Sequence, residues 1–438
     1  MAANEKELRA EILRLVREFH DVRFAAKAFV PGKDPVRYAG RVFDEREMQA
    51  LVDSALDFWL TAGRFTEQFE AGLAEYVGTE YAFLVNSGSS ANLLALSSLT
   101  SPLLGEKRLK PGDEVISVAA GFPTTVNPIL QHGMVPVFVD VELGTYNIDP
   151  KALRQAIGPK TRAIFLAHTL GNPYDLDTVQ ELVKKHDLWL IEDCCDALGS
   201  TWRGQKVGTF GHLATCSFYP AHHITLGEGG AVVTSDERIA RAARSIRDWG
   251  RDCYCAGGEN NTCGKRFSGK YGTLPEGYDH KYVYSHIGYN LKATDMQAAI
   301  GVAQLEKLPR FCQARRDHFK AWHAGFSKWA DKFVLPHALE GADPSWFAFP
   351  LTVKEGAGFT RTQLADFLNG KLVETRNLFG GNLLRQPAYA DIAKRVPGSL
   401  AVTDFVMDHT LFLGTYPGLT PERIDHVLGL VAEFLARR

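Results

Sequence analysis

Apolar positions along this chain follow two spacings, one typical of helices and one typical of buried strands. Over residues 7–25 they fall on one face of a helix, which predicts an amphipathic N-terminal helix. The positions concerned are Leu8, Ile12, Leu15, Val16 and Phe19. The same spacing predicts a helix over 45–61 and another from Pro421 towards the C-terminus, where proline suits the first helical turn.

Between residues 114 and 196 the pattern changes to short apolar runs rich in β-branched residues, separated by helical stretches. The runs predict strands at 114–119, 135–141, 162–167 and 188–193. Continuous apolar strands that alternate with helices are typical of a parallel sheet covered on both faces. We therefore predict an α/β protein, with its ligands at the carboxyl ends of the strands.

The length of 438 residues predicts more than one domain. We divide the chain into an N-terminal helix and arm (1–45), a large domain (46–310) and a smaller C-terminal α+β domain (311–438). A helix that begins near Thr294 is expected to run to Lys307, close to the second boundary.

Composition excludes several classes of function. The formal net charge is -2 and no basic block is present, which argues against nucleic acid as a partner. No apolar run approaches the length of a membrane span, and the polar N-terminus does not resemble a secretory signal. We expect a cytoplasmic protein without a membrane partner.

A strand followed by a turn of small residues and a helix is predicted at 81–96. The turn contains Gly88, Ser89 and Ser90, and the free backbone N–H groups at such a helix start can bind a phosphate. The alternative is that the serines only cap the helix.

The segment 214–234 combines a strand, a break at Pro220, two histidines, a Gly-rich turn and a second strand. Neighbouring residues of an extended segment point to opposite faces, so only one of His222 and His223 can face a site. His222 is the candidate; it could instead be a hydrogen-bonded core residue, with His223 the functional one.

This segment resembles the cofactor-lysine segment of the sugar aminotransferase family of fold-type I pyridoxal phosphate enzymes. The family pattern is Ser-Phe-x-x-x-Lys-x-Ile-Thr, and His222 stands five residues after Ser217, where the family has its lysine. An imidazole cannot form the imine that a primary amine forms with the cofactor. The resemblance implies a fold-type I protein with untethered pyridoxamine phosphate, Ser217 at the cofactor, and His222 as the base that takes a proton from the C4′ carbon.

Two strand ends match the family as well. Phe122 occupies the position of an aromatic ring that stacks on the pyridine, and Asp193 that of an aspartate that meets the pyridine nitrogen. Asp196 corresponds to a histidine or glutamine near the ring hydroxyl in relatives. Without the resemblance, Asp193 could equally be a helix cap.

The resemblance also covers the phosphate turn and a segment near the predicted domain boundary. Gly88, Ser89 and Ser90 match the family's Ser-Gly-Thr-Ala turn. Asn290 lies in a Gly-Tyr-Asn motif whose asparagine, in relatives, reaches the cofactor phosphate of the neighbouring subunit. These matches imply a homodimer with shared active sites.

The seven cysteines are too few for a disulfide scaffold. Cys253, Cys255 and Cys263 lie within eleven residues of a Gly- and Asn-rich loop, which predicts a metal site. Spacing alone leaves zinc and an iron-sulfur cluster as equal rivals. We favour Cys195 as the fourth ligand. Residues two apart on a strand share a face and lie roughly 6 to 7 Å apart, so a metal on Cys195 would lie close to a cofactor that meets Asp193. The other candidates are Cys194, Cys216 and Cys312.

The spacing of these four cysteines resembles one branch of the family, the iron-sulfur-containing CDP-6-deoxy-hexulose 3-dehydrases, which also replace the lysine by histidine. The branch implies a [2Fe-2S] cluster, an NADH-dependent flavin and iron-sulfur reductase, and removal of the C3 hydroxyl from a nucleotide-linked, probably CDP-linked, 4-keto-6-deoxyhexose for O-antigen synthesis. Three alternatives stay open: a transaminase, which needs the missing lysine; a redox-neutral dehydratase that uses glutamate; and a non-catalytic zinc sensor. Candidates for the sugar-nucleotide pocket are Arg376, Asn382 and Arg385.

Overall fold

A computed structural model describes residues 4–25, 27–255, 258–262 and 264–438. Its α-helices are α1 (Glu5–Arg23), α2 (Glu45–Asp57), α3 (Arg64–Val77), α4 (Gly88–Ser98), α5 (Pro123–Gln131), α6 (Pro150–Ala156), α7 (Leu176–His186), α8 (Glu237–Arg247), α9 (Asp295–Phe326), α10 (Arg361–Gly370), α11 (Ala401–His409) and α12 (Pro421–Ala436). Its strands are β1 (Tyr81–Val85), β2 (Glu114–Val118), β3 (Val135–Val139), β4 (Thr161–Ala167), β5 (Trp189–Asp193), β6 (Thr201–Trp202), β7 (Gln205–Lys206), β8 (Leu213–Ser217), β9 (Gly230–Thr234), β10 (Phe333–Val334), β11 (Ala342–Asp343), β12 (Ala348–Val353), β13 (Arg376–Asn377) and β14 (Thr410–Gly414).

The largest sheet has seven strands in the order β1-β9-β8-β5-β4-β2-β3. The pairs from β3 to β8 are parallel, and β9 runs antiparallel to both β8 and β1. A second sheet, β10-β12-β14-β13, belongs to the C-terminal part of the chain. The predicted fold class is confirmed: a mostly parallel sheet covered by helices, with a smaller C-terminal sheet domain.

Each face of the large sheet carries its own core. On one face Leu84, Ile116 and Leu190 pack with residues of α3 and α9, and on the other Phe83, Val115 and Ile191 pack with residues of α4 and α8. Alternate residues of one strand thus enter different cores, as the period of two requires. Because both faces are buried, the ends of the strands are left for a site.

Helix α2 begins as predicted but ends earlier. Asp44 and Glu47 form a capping box at its start. Phe58 adopts a left-handed conformation (φ 51°) and its N–H bonds to the carbonyl of Ala55, so the helix stops at Asp57 and not near residue 61.

Helix α9 is longer than the sequence indicates, because it passes Lys307 and contains Pro309 before ending at Phe326. Proline removes one backbone hydrogen bond, and burial of side chains beyond it, such as Trp322, outweighs that loss. The boundary predicted at 310 falls inside this helix, and the division into three parts stays a prediction.

Helix α1 packs against α2 but has no buried residue of its own. Its apolar stripe, which includes Phe19 at 58 % exposure, lies largely open to solvent. None of the helices in the described ranges combines the length and the apolar character needed to cross a membrane.

The N-terminus of α3 is held by a residue that is distant in sequence. Asp295, 1 % exposed at the start of α9, accepts hydrogen bonds from the amides of Gly63 (2.9 Å) and Thr66 (2.8 Å) and from the Thr66 hydroxyl (2.9 Å). Its second oxygen accepts from the amide of Phe65 at 3.3 Å. A carboxylate here satisfies the free N–H groups of a helix start that has no side-chain cap and complements the helix dipole.

We expect Asp295→Asn to lower the free energy of unfolding by about 2 kcal/mol, because an NH₂ group replaces a buried acceptor and the charge is lost. Denaturant unfolding at one protein concentration measures the change. Asp317→Asn, an exposed position on the same helix, is the matched control and should cost less than about 0.5 kcal/mol. Equal losses in the two variants would contradict this assignment.

Candidate active site

A cavity of about 660 Å³ lies at the carboxyl ends of β2, β4, β5 and β8. Residues that follow these strands form its floor, and residues of the C-terminal sheet, including Arg376 and Phe412, form the opposite wall. The site residues predicted from the sequence that line it are Gly88, Ser89, Phe122, Asp193, Cys195, Asp196, Ser217 and His222. No lysine lines it in the part of the chain that the structure describes.

Asp193 is a buried carboxylate held by three donors. One oxygen accepts from the amide side chain of Asn92 (2.9 Å) and the hydroxyl of Thr125 (2.7 Å), and the other from the backbone N–H of Cys195 (3.1 Å). Asn92 is itself oriented by the hydroxyl of Thr215, which donates to its oxygen at 2.6 Å. Such a network stabilises an anion at this strand end, and an anion there can keep a pyridine nitrogen protonated.

The turn before α4 presents a helix N-terminus to the cavity. Ser87 caps the helix by accepting from the amide of Ser90 at 3.1 Å, and Gly88 and Ser89 line the cavity beside it. A Cβ atom at Gly88 would lie 2.4 Å from the Cβ of Ser217, so only glycine allows this approach. Ser90 is not among the lining residues, since its hydroxyl points back into the turn. The arrangement fits a phosphate at the helix start.

The two adjacent histidines occupy different environments. His222 faces the cavity, with Nδ1 3.4 Å from a carboxylate oxygen of Asp196 and its ring 5.4 Å from the ring of Phe347. Burial raises the pKa of Asp196. His223 is buried, its Nε2 donates to the carbonyl of Ser345 at 2.7 Å, and burial lowers its pKa well below the ordinary value. His223 is therefore the neutral structural histidine, and His222 is the one that can move a proton in the cavity.

Phe122 precedes α5 and remains 52 % exposed, although it is a large aromatic residue. Its ring contacts the ring of Phe379 edge-on at 6.1 Å and lines the cavity. Tyr219, half exposed, lines it as well. An uncovered ring beside the Asp193 carboxylate suits a planar ligand.

Cys195 comes close to Asp193 for a different reason than strand geometry. β5 ends at Asp193, and the next residues form a turn that begins with the buried Cys194. Within this turn the amide of Cys195 bonds back to the Asp193 carboxylate, and its thiol lies near Gly88 at the cavity. The expected proximity is found, but the two residues do not share one face of a strand, since β5 ends at Asp193.

The remaining predicted cysteine ligands lie in another region of the chain. Cys253 lines a separate cavity, and Cys263 lies outside the described residues. Burial would raise the pKa of Cys255, but hydrogen bonds from Thr262 and Cys253 outweigh it and lower that pKa, which favours a thiolate ligand. Within the described residues, Cys195, Cys253 and Cys255 do not form a set whose ligand atoms converge, so this metal site stays a prediction.

Within the described residues, the ligand atoms of His168, Glu192 and Cys194, all buried, lie within 4.8 Å of one another. Glu192 already accepts four hydrogen bonds, one from His168 and three from backbone amides. The amides belong to Gly208, Phe210 and Gly211. With its oxygens fully used, Glu192 anchors a turn beneath β5, and we assign the set a structural role.

Of the three residues suggested for a sugar-nucleotide pocket, only Arg376 lines the cavity. Its guanidinium lies over the ring of Tyr38 at 4.2 Å, at the side opposite the sheet. Asn382 donates to Asp404 (3.0 Å), and Arg385 lies 3.4 Å from the same carboxylate, so both serve the local structure of the C-terminal domain. Their role in a sugar-nucleotide pocket stays a prediction.

Asn290 is exposed and does not line the cavity of its own chain. Lys292 donates to its side-chain oxygen at 3.0 Å, and its backbone pairs with Asp248. Asn290 could therefore contact a cofactor only in the site of a neighbouring chain.

Asn92 and Thr125 are site residues that sequence reasoning missed. Asn92 lies one helical turn after Gly88 on α4, and Thr125 lies in the first turn of α5, three residues after Phe122. The helical period, applied from the predicted turns, could have placed both on the cavity side.

Comparison with known proteins assigns this arrangement to a family. The model of the DegT/DnrJ/EryC1/StrS aminotransferase family matches residues 42–432. The lipopolysaccharide biosynthesis protein RfbH of Salmonella typhimurium is 53% identical over 434 residues, covering 99% of each chain. The dTDP-4-dehydro-2,6-dideoxy-D-glucose 3-dehydratase of Saccharopolyspora spinosa is 53% identical over 426 residues, covering 97% of this chain and 92% of that protein.

A solved structure agrees in fold. Escherichia coli GDP-4-keto-6-deoxy-D-mannose-3-dehydratase with bound hydrated pyridoxal phosphate superposes with a TM-score of 0.81 at 30% identity, covering 90% of this chain and 98% of that one. A pyridoxal or pyridoxamine phosphate fits the residues present here, since the Asp193 anion, the α4 N-terminus and the exposed Phe122 ring all border one cavity.

With His222 at the cavity and no lysine among the described residues that line it, we expect the cofactor to be held without a covalent bond. Dialysis should remove it, and borohydride should not attach it to the wild-type chain, because an imidazole forms no reducible imine. Absorbance and intact-protein mass measure the adduct.

His222→Lys is the matched control, since it restores an amine at the same position and should give a stable adduct after borohydride. An adduct of equal yield on the wild-type protein would show that a lysine reaches the cofactor.

Proposed function

The chain belongs to the DegT/DnrJ/EryC1/StrS aminotransferase family, and on this premise we propose that it is a pyridoxamine phosphate and [2Fe-2S] 3-dehydrase acting on a nucleotide-linked 4-keto-6-deoxyhexose. The observation that carries the proposal is His222, an imidazole that faces the cavity where the family has its lysine. A transaminase needs that lysine. An untethered amine cofactor with a histidine base suits elimination of a hydroxyl instead.

Different residues of the cavity contribute to different parts of the proposed elimination. When bound, pyridoxamine phosphate supplies an amine for the C4 ketone of the sugar and a pyridine ring that withdraws electrons. His222 takes the proton from the C4′ carbon. Asp196, 3.4 Å from its Nδ1, orients the imidazole and stabilises the charge that it gains. Asp193 keeps the pyridine nitrogen protonated, and Phe122 covers the ring.

Net 3-deoxygenation requires two electrons and two protons in addition to loss of the hydroxyl as water. We propose that Cys195, Cys253, Cys255 and Cys263 hold a [2Fe-2S] cluster, which when bound would supply the electrons singly. An NADH-dependent flavin and iron-sulfur reductase is the proposed source. Support comes from the spacing of the four cysteines and from the lowered pKa of Cys255.

We propose CDP as the nucleotide and a 3,6-dideoxy-4-ketosugar as the product, destined for O-antigen synthesis. The name of the Salmonella relative places that protein in lipopolysaccharide biosynthesis, and the name of the Saccharopolyspora relative gives a dTDP-linked substrate for that protein. Assays with CDP-, dTDP- and GDP-linked 4-keto-6-deoxyhexoses distinguish the nucleotides.

A redox-neutral dehydratase that restores its cofactor with glutamate is the second candidate. It is favoured by the separation of Cys195 from Cys253 and Cys255 in the described residues, and by the similarity to a GDP-sugar 3-dehydratase of known structure. It has no need of a cysteine cluster. Iron content therefore decides between the two candidates.

We further propose a homodimer with shared active sites. Asn290 is exposed in its own chain, and so is Ile287 in the same segment, at 100 % exposure. A second chain that covers this segment would remove apolar surface from water and bring Asn290 to the cofactor phosphate of the neighbouring site.

The cluster is tested with Cys255→Ser. We expect this variant to retain abstraction of the C4′ proton and to lose net 3-deoxygenation with reductase and NADH, because the elimination is redox-neutral and the reduction is not. Loss of isotope from the C4′ carbon measures the first step, and product analysis measures the second.

Cys312→Ser, at a buried cysteine outside the proposed ligand set, is the control and should retain both steps. Wild-type protein prepared without oxygen should be coloured and contain two irons per chain. Colourless protein with zinc would overturn the reductive mechanism, and metal-free protein that uses glutamate would support the second candidate.

The shared site is tested by mixing Asn290→Ala chains with His222→Asn chains. If Asn290 acts in the neighbouring subunit, one site of each mixed dimer carries both substitutions and the other carries neither, so mixing should restore up to about half of the wild-type activity per dimer. Each parent variant alone is the control and should be nearly inactive. A fully active, cofactor-saturated monomer would contradict shared sites.

A further inference from the structure

One cation of helix α9 is buried directly behind the active-site histidine. Arg315 is 1 % exposed and ranks among the largest fully buried side chains of the described residues. Its guanidinium donates to the carbonyl of His222 at 2.9 Å, to that of Phe347 at 3.1 Å and to that of Trp346 at 3.3 Å. Three main-chain carbonyls from two segments of the chain thus meet on one side chain.

The electrostatic setting of Arg315 is unusual for a structural arginine. Within the described residues no carboxylate forms an ion pair with it, and its Nε has no hydrogen-bond partner. Burial lowers its pKa to about 10, so the guanidinium remains charged at neutral pH. The Asp196 carboxylate stabilises the charge only from beyond ion-pair distance. A buried charge with no counter-ion in contact destabilises the fold, and an apolar residue of similar size would fill the space at lower cost. This cost indicates a role beyond packing.

The three carbonyls belong to the two walls of the imidazole slot. His222 and Phe347 are hydrogen-bonded through their backbones to the same guanidinium, and their rings contact each other at 5.4 Å with an interplanar angle of 45°. Phe347 leads into β12 of the C-terminal sheet, whereas His222 follows β8 of the large sheet. The two segments are also joined by the hydrogen bond from His223 to the carbonyl of Ser345. Arg315 adds the contacts that fix the backbones of His222 and Phe347 themselves.

The shape of the guanidinium suits this task. Its planar fork directs donors along fixed lines, so it can hold two carbonyls at once in one geometry, while a lysine ammonium is a point charge on a flexible stem. We propose that Arg315 is a positioning residue for His222: by fixing the His222 and Phe347 backbones, it keeps the imidazole aligned with the C4′ carbon. This inference rests on the proposed function of His222 as the base.

The experiment compares Arg315→Ala and Arg315→Lys with the wild type, all loaded with pyridoxamine phosphate and a CDP-linked 4-keto-6-deoxyhexose. Arg316→Ala is the matched control, because Arg316 is adjacent on α9 but bonds to Gly199 and Asp343, away from the cavity. Loss of isotope from C4′ in a single turnover, the substrate KM and the thermal midpoint are measured for each protein.

We expect Arg315→Ala to slow C4′ proton loss by about 100-fold, the order of effect of a displacement near 1 Å, with KM within about threefold of the wild type. Added guanidinium chloride at millimolar concentration should raise the rate of Arg315→Ala at least about tenfold and leave the rate of Arg316→Ala unchanged. Arg315→Lys should remain at least about tenfold slow, since one ammonium cannot hold both carbonyls.

The outcomes are distinct. If the wild type loses no isotope from C4′, the proposed function fails and not the positioning role. If the wild type exchanges and a folded Arg315→Ala exchanges equally fast, the inference is overturned. It is also overturned if Arg315→Ala and Arg315→Lys both fail to fold or to bind the cofactor, because the arginine is then structural only.

Discussion

The burial of one carboxylate at the end of a central strand determines how this active site is built. An ionised aspartate cannot stay buried unless donors replace the water that it loses. Asp193 obtains them from Asn92 on α4, Thr125 on α5 and the amide of Cys195 in the following turn. These donors come from the elements that also supply the helix N-terminus and the aromatic ring. The anion thereby fixes the relative positions of three walls of the cavity.

The neighbouring segment with the two histidines is organised by a difference in burial. β8 ends at Ser217, and the turn that follows places His222 towards the cavity and His223 into the protein. Burial keeps His223 neutral, and its ring bonds to a main-chain carbonyl, while the Nδ1 of His222 lies 3.4 Å from a carboxylate oxygen of Asp196. One histidine thus holds the turn, and the other is left at the cavity for the proton transfer proposed above. Arg315 holds the same turn by donating a hydrogen bond to the carbonyl of His222.

The proposed reductive chemistry also depends on the end of β5, through Cys195. Cys195 both donates its amide to Asp193 and presents a thiol at the cavity, so a metal bound there would lie beside the cofactor. Burial raises the pKa of this thiol well above its ordinary value, which means that a bound metal must compensate for the charge of the thiolate. The other proposed ligands belong to the Gly- and Asn-rich segment 253–263 of the sequence. A bound cluster would therefore link the folding of that segment to the active site.

The periodicity of the sequence by itself determined the fold class, because strands buried on both faces must be apolar throughout and the helices that cover them must be amphipathic. It also placed Phe122 and Asp193 near strand ends, at the carboxyl edge of a parallel sheet where ligands bind. Their assignment to a cofactor came from the resemblance to the family. That position 222 holds histidine, where the family has its lysine, is likewise a property of the sequence alone.

Only the tertiary structure decided the rest. Which of two adjacent histidines faces the cavity depends on the packing of the whole turn. The donors of Asp193 and the clamp formed by Arg315 join residues up to 101 and 93 positions apart, and no local pattern reports such pairs. The length of α9 beyond Pro309 was likewise set by burial against distant elements, which outweighs the local preference of proline to end a helix.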